Sequence, residues 1–381
     1  MQPVNDILMQ IENEIADYKS IKLSKKETGR PVIGWLPTDV PEELIHGAGA
    51  LPVGIVNTGK NGDLGSSFIP DYICSMVKGA LDVALSGKLN FLDGLIIPHV
   101  CDSLSQLSGV WNNHAPLPYI RGMLFPVQYT SKSANKFFKN ELEDLKLSLK
   151  ESFDLQTTND NLMASIELYN SNRQLLREIL LLRLSNHGIL GNKNYYRVIM
   201  SSMLMPKERN NELLADLITA MKNEVETNAP AYQNKKTMFV SGMYYADSGL
   251  FDLLDELGII VVGDDLSVGE RYFAVDADLA PGNDPLNALV SRQMQNIPYA
   301  GYEQGTDRGS FLTGLMRERQ AQGIIFLHLK FCEQENFDYP LLKKAMDELK
   351  IPNLRLEISY PLSLGMVRNR LEAMLEIMEG I

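Results

Sequence analysis

The sequence predicts an α/β protein built from two doubly wound, mostly parallel sheets with a helical insert between them. Three observations predict it. Short apolar runs bounded by glycine and proline alternate with segments of helical period in residues 1–155 and again in residues 233–381, and strands separated by helices imply βαβ units. The intervening residues 156–232 keep helical spacing without a convincing strand. A length of 381 residues suits two or three domains, each with its own core.

In chain order, MQPVNDILMQIENEIADYKS reads as an acidic amphipathic helix, with no positive n-region followed by an apolar h-region. RPVIGWLP (Arg30 to Pro37) is a short strand-like run, and PEELIHGAGALPVGIV reads as a helix ended by glycine and followed by a strand. Beyond Pro70, DYICSMVKGALDVALS spaces Ile73, Val77, Leu81 and Ala84 along one helical face, and FLDGLIIPHV (Phe91 to Val100) is a buried-strand run. A helix over Ser103 to Trp111, a strand near Pro118 to Arg121 and a charged helix over Ala134 to Lys150 complete this part. In the insert, Leu162, Ile166, Tyr169, Leu176 and Leu180 share a face and NELLADLITAMKNEVE repeats the pattern. The last part opens with a strand at NKKTMFVSG, followed by a helix at Gly249 to Leu257 and the strand GIIVVGD. Helices at Leu286 to Met294 and Phe311 to Gln320 precede the strand GIIFLHLKF (Gly323 to Phe331). A helix at Pro340 to Leu349, the strand LRLEI and a helix from Leu364 to Met378 end the chain. The expectation is therefore two Rossmann-like domains, residues 1–155 and 233–381, flanking a helical segment at 156–232, with no sequence repeat between them.

A composition of 45% hydrophobic and 22% charged residues excludes a disordered chain. With 36 Lys and Arg against 48 Asp and Glu, the net charge of −12 argues against binding nucleic acid or an anionic membrane surface. No apolar run is long enough to cross a bilayer, so the expected location is the cytoplasm.

GIVNTGK (Gly54 to Lys60) has the glycine and lysine spacing of a phosphate-binding loop after a strand. Asn61 stands where Ser or Thr should hold magnesium, and DLGSSFIP cannot start the helix whose amino terminus would bind phosphate. A glycine-rich loop near an active site is the reading adopted. The three cysteines, Cys74, Cys101 and Cys332, contain no CxxC pair and are too few for a disulfide framework, which points to a reducing compartment. Their placement is more informative. Cys101 and Cys332 follow strands, where open α/β sheets bind ligands, and Cys74 falls in the first turn of a helix, whose dipole favours a thiolate. Zinc with His99 as fourth ligand, an iron–sulfur cluster with one iron left free, and three core thiols all remain open from placement alone.

Glu43 and His46, at i and i+3 of one helix, form a candidate acid–base pair, against which stands a plain packing or surface role. His99 is also a candidate donor near Cys101. Trp111 reads as core or interface. The pair Asp264-Asp265 could bind a cation, although a solvated turn at a strand end is the safer reading. Exposed apolar residues of the insert are expected to supply an interface.

The stretches VPEELIHGAGALPVGI, YICSMVKGALDVALSGKLNFLDGLIIPHVCDSLSQLSGVW and GIIFLHLKFCEQENFDYPLLKKAMDELKIPNLRLEIS resemble the 2-hydroxyacyl-CoA dehydratase and benzoyl-CoA reductase family, in particular the smaller, beta-type dehydratase subunit. The likeness continues through VSGMYYADSGLFDLLDELGIIVVGDDLSVGERYF and GMVRNRLEAMLEI, covering nearly the whole chain. It implies a [4Fe–4S] cluster on Cys74, Cys101 and Cys332. It also implies a larger homologous iron–sulfur subunit, a separate ATP-hydrolysing iron–sulfur activator that delivers one low-potential electron, and an acyl-CoA substrate bound mainly on the partner subunit. The implied chemistry is reduction of a thioester carbonyl to a ketyl radical anion that expels the 2-hydroxyl group, or ring reduction in the reductases. One departure stands out: the family commonly has Cys-Asp-Pro at the third cysteine, where this chain has Cys332-Glu333-Gln334.

Overall fold

The computed structural model describes residues 2–37, 39–56, 64–186, 189–227, 235–244, 248–280, 282, 284–303 and 307–379. Helices α1 (Val4–Ile15) and α2 (Lys19–Thr28) lead into β1 (Val32–Trp35), α3 (Glu42–Gly47), β2 (Leu51–Gly54), α4 (Ser75–Leu85), β3 (Gly94–His99), α5 (Asp102–His114), β4 (Tyr119–Leu124) and α6 (Lys132–Phe153). Three long helices follow, α7 (Asn159–Ser185), α8 (Asn192–Leu204) and α9 (Lys207–Thr227). The remainder is β5 (Lys236–Ser241), α10 (Ser248–Glu256), β6 (Ile259–Asp264), α11 (Glu270–Phe273), α12 (Pro285–Met294), α13 (Arg308–Glu318), β7 (Gly323–Leu329), α14 (Glu333–Glu348), β8 (Asn353–Ile358) and α15 (Leu364–Glu379).

Every pairing is parallel, and the two four-stranded sheets have the same order, β2-β1-β3-β4 and β6-β5-β7-β8. Parallel strands covered by helices on both faces are buried throughout, which is why β1, β6 and β7 read as unbroken apolar runs. In each sheet the chain leaves the first strand to one side and returns to the other, so the strand order reverses between β1 and β3 and between β5 and β7. Loops diverge there and open a crevice at the carboxyl ends of the strands. Cys101 follows β3 and Cys332 follows β7, so these two cysteines hold equivalent places in the two sheets.

Four details differ from the sequence expectation. The helix expected at Pro340 begins at Glu333, seven positions earlier, with Pro340 inside it. The acidic side chains Glu333 and Glu335 in its first turn suit the positive end of a helix dipole, and they outweigh the proline as a start signal. Helix α4 begins at Ser75, so Cys74 is its cap rather than part of its first turn. The short helix α11 has no period to announce it. Exposed large apolar residues are sparse in the described insert, where Met163 and Leu181 stand out, whereas α14 exposes Phe337 by 82% and Leu341 by 68%.

The Asp264-Asp265 pair is not a solvated turn, because both side chains are fully buried. Asp264 accepts hydrogen bonds from the Tyr196 hydroxyl at 2.8 Å and from the backbone N–H of Leu266 and Glu270 at 2.9 Å each. Asp265 accepts from Gly242 N–H at 3.0 Å, and its cation is the Arg308 guanidinium at 2.5 Å. These carboxylates satisfy backbone donors left unpaired where the strands end. Burial, reinforced by the Asp264 charge, raises the carboxyl pKa of neighbouring Glu270 to about 8. A carboxyl raised in this way is protonated in the fold while the unfolded chain is ionised, so stability falls as pH climbs from the ordinary carboxylate range toward 8. Glu270→Gln is expected to flatten that fall by a few kcal/mol, at about 1.4 kcal/mol per pH unit removed. Urea midpoints at about pH 5 and about pH 8.5 measure it; an unchanged difference between parent and variant contradicts a shared proton.

Candidate functional site

All three cysteines are helix caps. Cys74 caps α4, Cys101 caps α5 and Cys332 caps α14, each with an extended backbone (φ −62°, ψ 150°; φ −153°, ψ 165°; φ −80°, ψ 102°). Ser, Thr, Asp or Asn usually fill this position, where an acceptor meets the free first-turn amides. Here the amides of Met76 and Val77 act on Cys74, those of Ser103 and Leu104 on Cys101, and that of Glu335 on Cys332, each favouring a thiolate. None of the three sulfurs makes a capping hydrogen bond of regular geometry.

The three helix starts converge on one cavity of about 710 Å³. Its walls are apolar on the side of Ile69, Ile73, Val77, Leu107 and Val110, and polar at Asp102, Ser103, Gln106, Glu333 and Gln334. Burial pushes the Cys74 thiol up to about 11, raises Cys101 and drives Cys332 well above the ordinary thiol range. At Cys74 burial therefore outweighs the helix dipole, contrary to the expectation from sequence, because a helix terminus contributes only about 0.3–2 kcal/mol. The sulfurs also act on one another: Cys101 raises Cys74, and Cys74 and Cys101 both raise Cys332. Three thiolates in this cavity would be unstable without a cationic centre between them.

His99 is not part of that set. It ends β3, its Nε2 lies 2.9 Å from the Ser108 hydroxyl, and it is absent from the cavity wall. The ring fills the space over Gly122, where any Cβ would collide with it. The expectation that positions 99 and 101 point the same way fails because the strand stops at His99 and the chain turns before Cys101.

Glu43 and His46 are separated from the cavity and from each other's side chains. Glu43 is buried on α3, 2.7 Å from Arg173 Nη1 and 3.8 Å from Arg292. Burial alone would raise its carboxyl, but the two guanidinium groups outweigh it and hold the pKa at about 2. A carboxyl ionised at every neutral pH donates no proton, so the geometry makes Glu43 a structural anion. His46 lies 3.0 Å from Ser165 Oγ and 3.1 Å from Glu208 Oε1. The cavity beside Glu43, bounded by Trp35, Tyr169 and Tyr272, measures about 20 Å³, room for about one water. Trp111 is buried in the core. Residues 57–63 of the phosphate-loop-like stretch lie outside the described residues.

Sequence reasoning missed the link between the two cysteine loops. Gln334 Nε2 donates to the Val100 carbonyl at 2.6 Å, across 234 positions of sequence. The capping role itself had a signal, an acidic residue directly after a strand-ending cysteine at Cys101-Asp102 and Cys332-Glu333.

Residues 37–378 match the model of HGD-D, 2-hydroxyglutaryl-CoA dehydratase, D-component. The chain belongs to this family. Among curated HGD-D relatives, it is 28% identical to a benzoyl-CoA reductase subunit of Thauera aromatica, over 91% of each chain. It is 28% identical to lactoyl-CoA dehydratase subunit beta of Anaerotignum propionicum, over 99% of this chain and 100% of that one. To (R)-2-hydroxyglutaryl-CoA dehydratase, subunit beta, of Acidaminococcus fermentans the identity is 27%, over 98% and 99%. The full-length coverage carries the HGD-D assignment through both sheets and the helices between them. Among the described residues no helix is long and apolar enough to cross a membrane.

Proposed function

We propose that this HGD-D member is the [4Fe–4S] subunit of a heteromeric, ATP-activated 2-hydroxyacyl-CoA dehydratase, with Cys74, Cys101 and Cys332 as the ligands. One observation carries the reading: three cysteines from three separate helix starts, two of them at equivalent places in the two sheets, line one cavity. Relatives named as beta subunits of dehydratases support the role of an enzyme subunit with a partner. When bound, the cluster supplies one-electron redox chemistry at a potential set by burial, charge and hydrogen bonding.

The chain's own residues do the rest. Three helix amino termini direct partial positive charge at the site, which favours an anionic cluster with thiolate ligands. The apolar wall of Ile69, Ile73, Val77, Leu107 and Val110 limits water at the sulfurs. Among the described residues no three His, Cys, Asp or Glu side chains are close enough together to share one ion. A single zinc needs its sulfurs about 2.3 Å from one point, whereas a cluster binds each thiolate at a different iron, so this spacing favours the cluster over zinc. A larger homologous iron–sulfur subunit would bind most of the acyl-CoA, and a separate ATP-hydrolysing activator would supply the electron.

A second reading is a subunit of an ATP-dependent benzoyl-CoA reductase, favoured by 28% identity to the Thauera aromatica reductase subunit over 91% of both chains. Anaerobic purification tests the shared core of both. About four irons with matching acid-labile sulfide per chain are expected; a colourless protein containing zinc alone would refute it. The identity of the co-purifying activator separates the two readings: one activator with one larger subunit indicates the dehydratase, and two activator-type subunits the reductase.

A further inference from the structure

We propose that Gln334 is a positioning residue, a latch that fixes the separation of Cys101 and Cys332 by joining their loops across the cavity; this rests on the cluster reading above. Gln334 stands two residues after Cys332, in the first turn of α14, and its Nε2 donates at 2.6 Å to the carbonyl of Val100, the residue directly before Cys101. Both residues line the same cavity as the cysteines. The bond therefore connects the end of one sheet's third strand to the start of the other sheet's cysteine-bearing helix.

The fold makes room for this side chain. Gly301 has φ +89°, and a Cβ there would overlap Gln334 Nε2 and fall 2.7 Å from its Cδ. Glycine at 301 is thus required twice, by the left-handed backbone and by the latch. Glutamine has the reach and the donor for the task, whereas a proline at 334 offers neither. Cys332-Glu333-Gln334, the place where this chain departs from Cys-Asp-Pro, is on this view a local solution to holding the two loops in register. Two further ties run between the sheets' loops, the Tyr244 hydroxyl to the Val56 carbonyl and the reciprocal backbone pair of Tyr129 and Val127 with Glu303. Neither lies on the cavity wall, so the setting of the two sulfurs falls to Gln334.

The test uses the full chain with Gln334→Glu and Gln334→Ala. Glutamate keeps the size and reach but its carboxylate has no proton to give the Val100 carbonyl, so it separates the hydrogen bond from packing. In metal-free, reduced protein, a short bis-maleimide should link Cys101 to Cys332, identified by peptide mass, about three- to tenfold more slowly in both variants than in the parent, the equivalent of one lost hydrogen bond. In protein reconstituted anaerobically with iron and sulfide, a chelator should strip iron about three- to tenfold faster from both variants. Gly301→Ala should reproduce both effects with Gln334 in place; if that variant does not fold, Gln334→Glu alone decides. Parent-like linking and parent-like stripping in Gln334→Glu overturn the latch. If the parent itself takes up no iron, the cluster reading fails, and the linking rate in metal-free protein still decides the latch.

Discussion

Cys101→Ser, purified without oxygen, is expected to lose more than about half of the iron and labile sulfide that the parent carries, against about four of each for a full cluster. Cys74→Ser and Cys332→Ser should behave alike, because a cluster held by three thiolates loses a whole corner with any one of them. The serine hydroxyl is too weak an acid to replace a thiolate in a cavity where burial already drives thiols upward. Cys101 is the most informative of the three positions. It is only partly buried, so its replacement leaves the fold of the metal-free chain within about 0.5 kcal/mol of the parent. Iron loss with an unchanged urea midpoint of the metal-free protein is therefore the expected pair of results. Full iron in Cys332→Ser would mean that the third ligand is wrongly assigned.

The largest stability effect is expected at Arg173→Met. The guanidinium and the Glu43 carboxylate are 3% and 1% exposed and 2.7 Å apart, and Arg173 also bonds Asn170 at 2.5 Å. Methionine keeps much of the side-chain bulk and strands a buried carboxylate whose remaining cation, Arg292, is 3.8 Å away. Breaking one side of such a pair costs about 3–5 kcal/mol, readable as a lower urea midpoint. Adding Glu43→Leu should recover much of the loss, because an apolar pair in place of a buried ion pair is close to neutral. The pH response has a definite sign. A carboxyl held at about 2 gives the fold stability that is fully present above the usual value of 4.5 and is lost as pH falls toward 2. That acid-side loss should shrink in Arg173→Met. A destabilisation below about 1 kcal/mol would show that Glu43 finds other partners.

The strands were legible because fully buried parallel strands are continuous apolar runs, as in GLIIPH and GIIFLHL. Helix starts were less so. Pro340 dominated the reading of α14, although the acidic first turn after Cys332 was the stronger signal. The three cysteines were legible as a set through strand ends, but their common capping geometry depends on backbone angles that no spacing reveals. Glu43 and His46 failed as a pair for another reason. Their spacing on α3 is right, yet their partners, Arg173, Ser165 and Glu208, come from α7 and α9, more than a hundred residues away. The same distance hid the burial of Asp264 and Asp265, whose partners Tyr196 and Arg308 lie on other helices.

The ligand set is divided unevenly, two sulfurs beside the first sheet and one beside the second. A group bound to all three would act as a strut spanning two bodies, and its affinity and their closure would be one linked equilibrium. Whatever holds the bodies together before loading then lowers the entropy lost on loading, and whatever pries them apart weakens retention by the same factor. Retention of the cofactor and rigidity of the crevice become a single thermodynamic quantity, read equally well from either side.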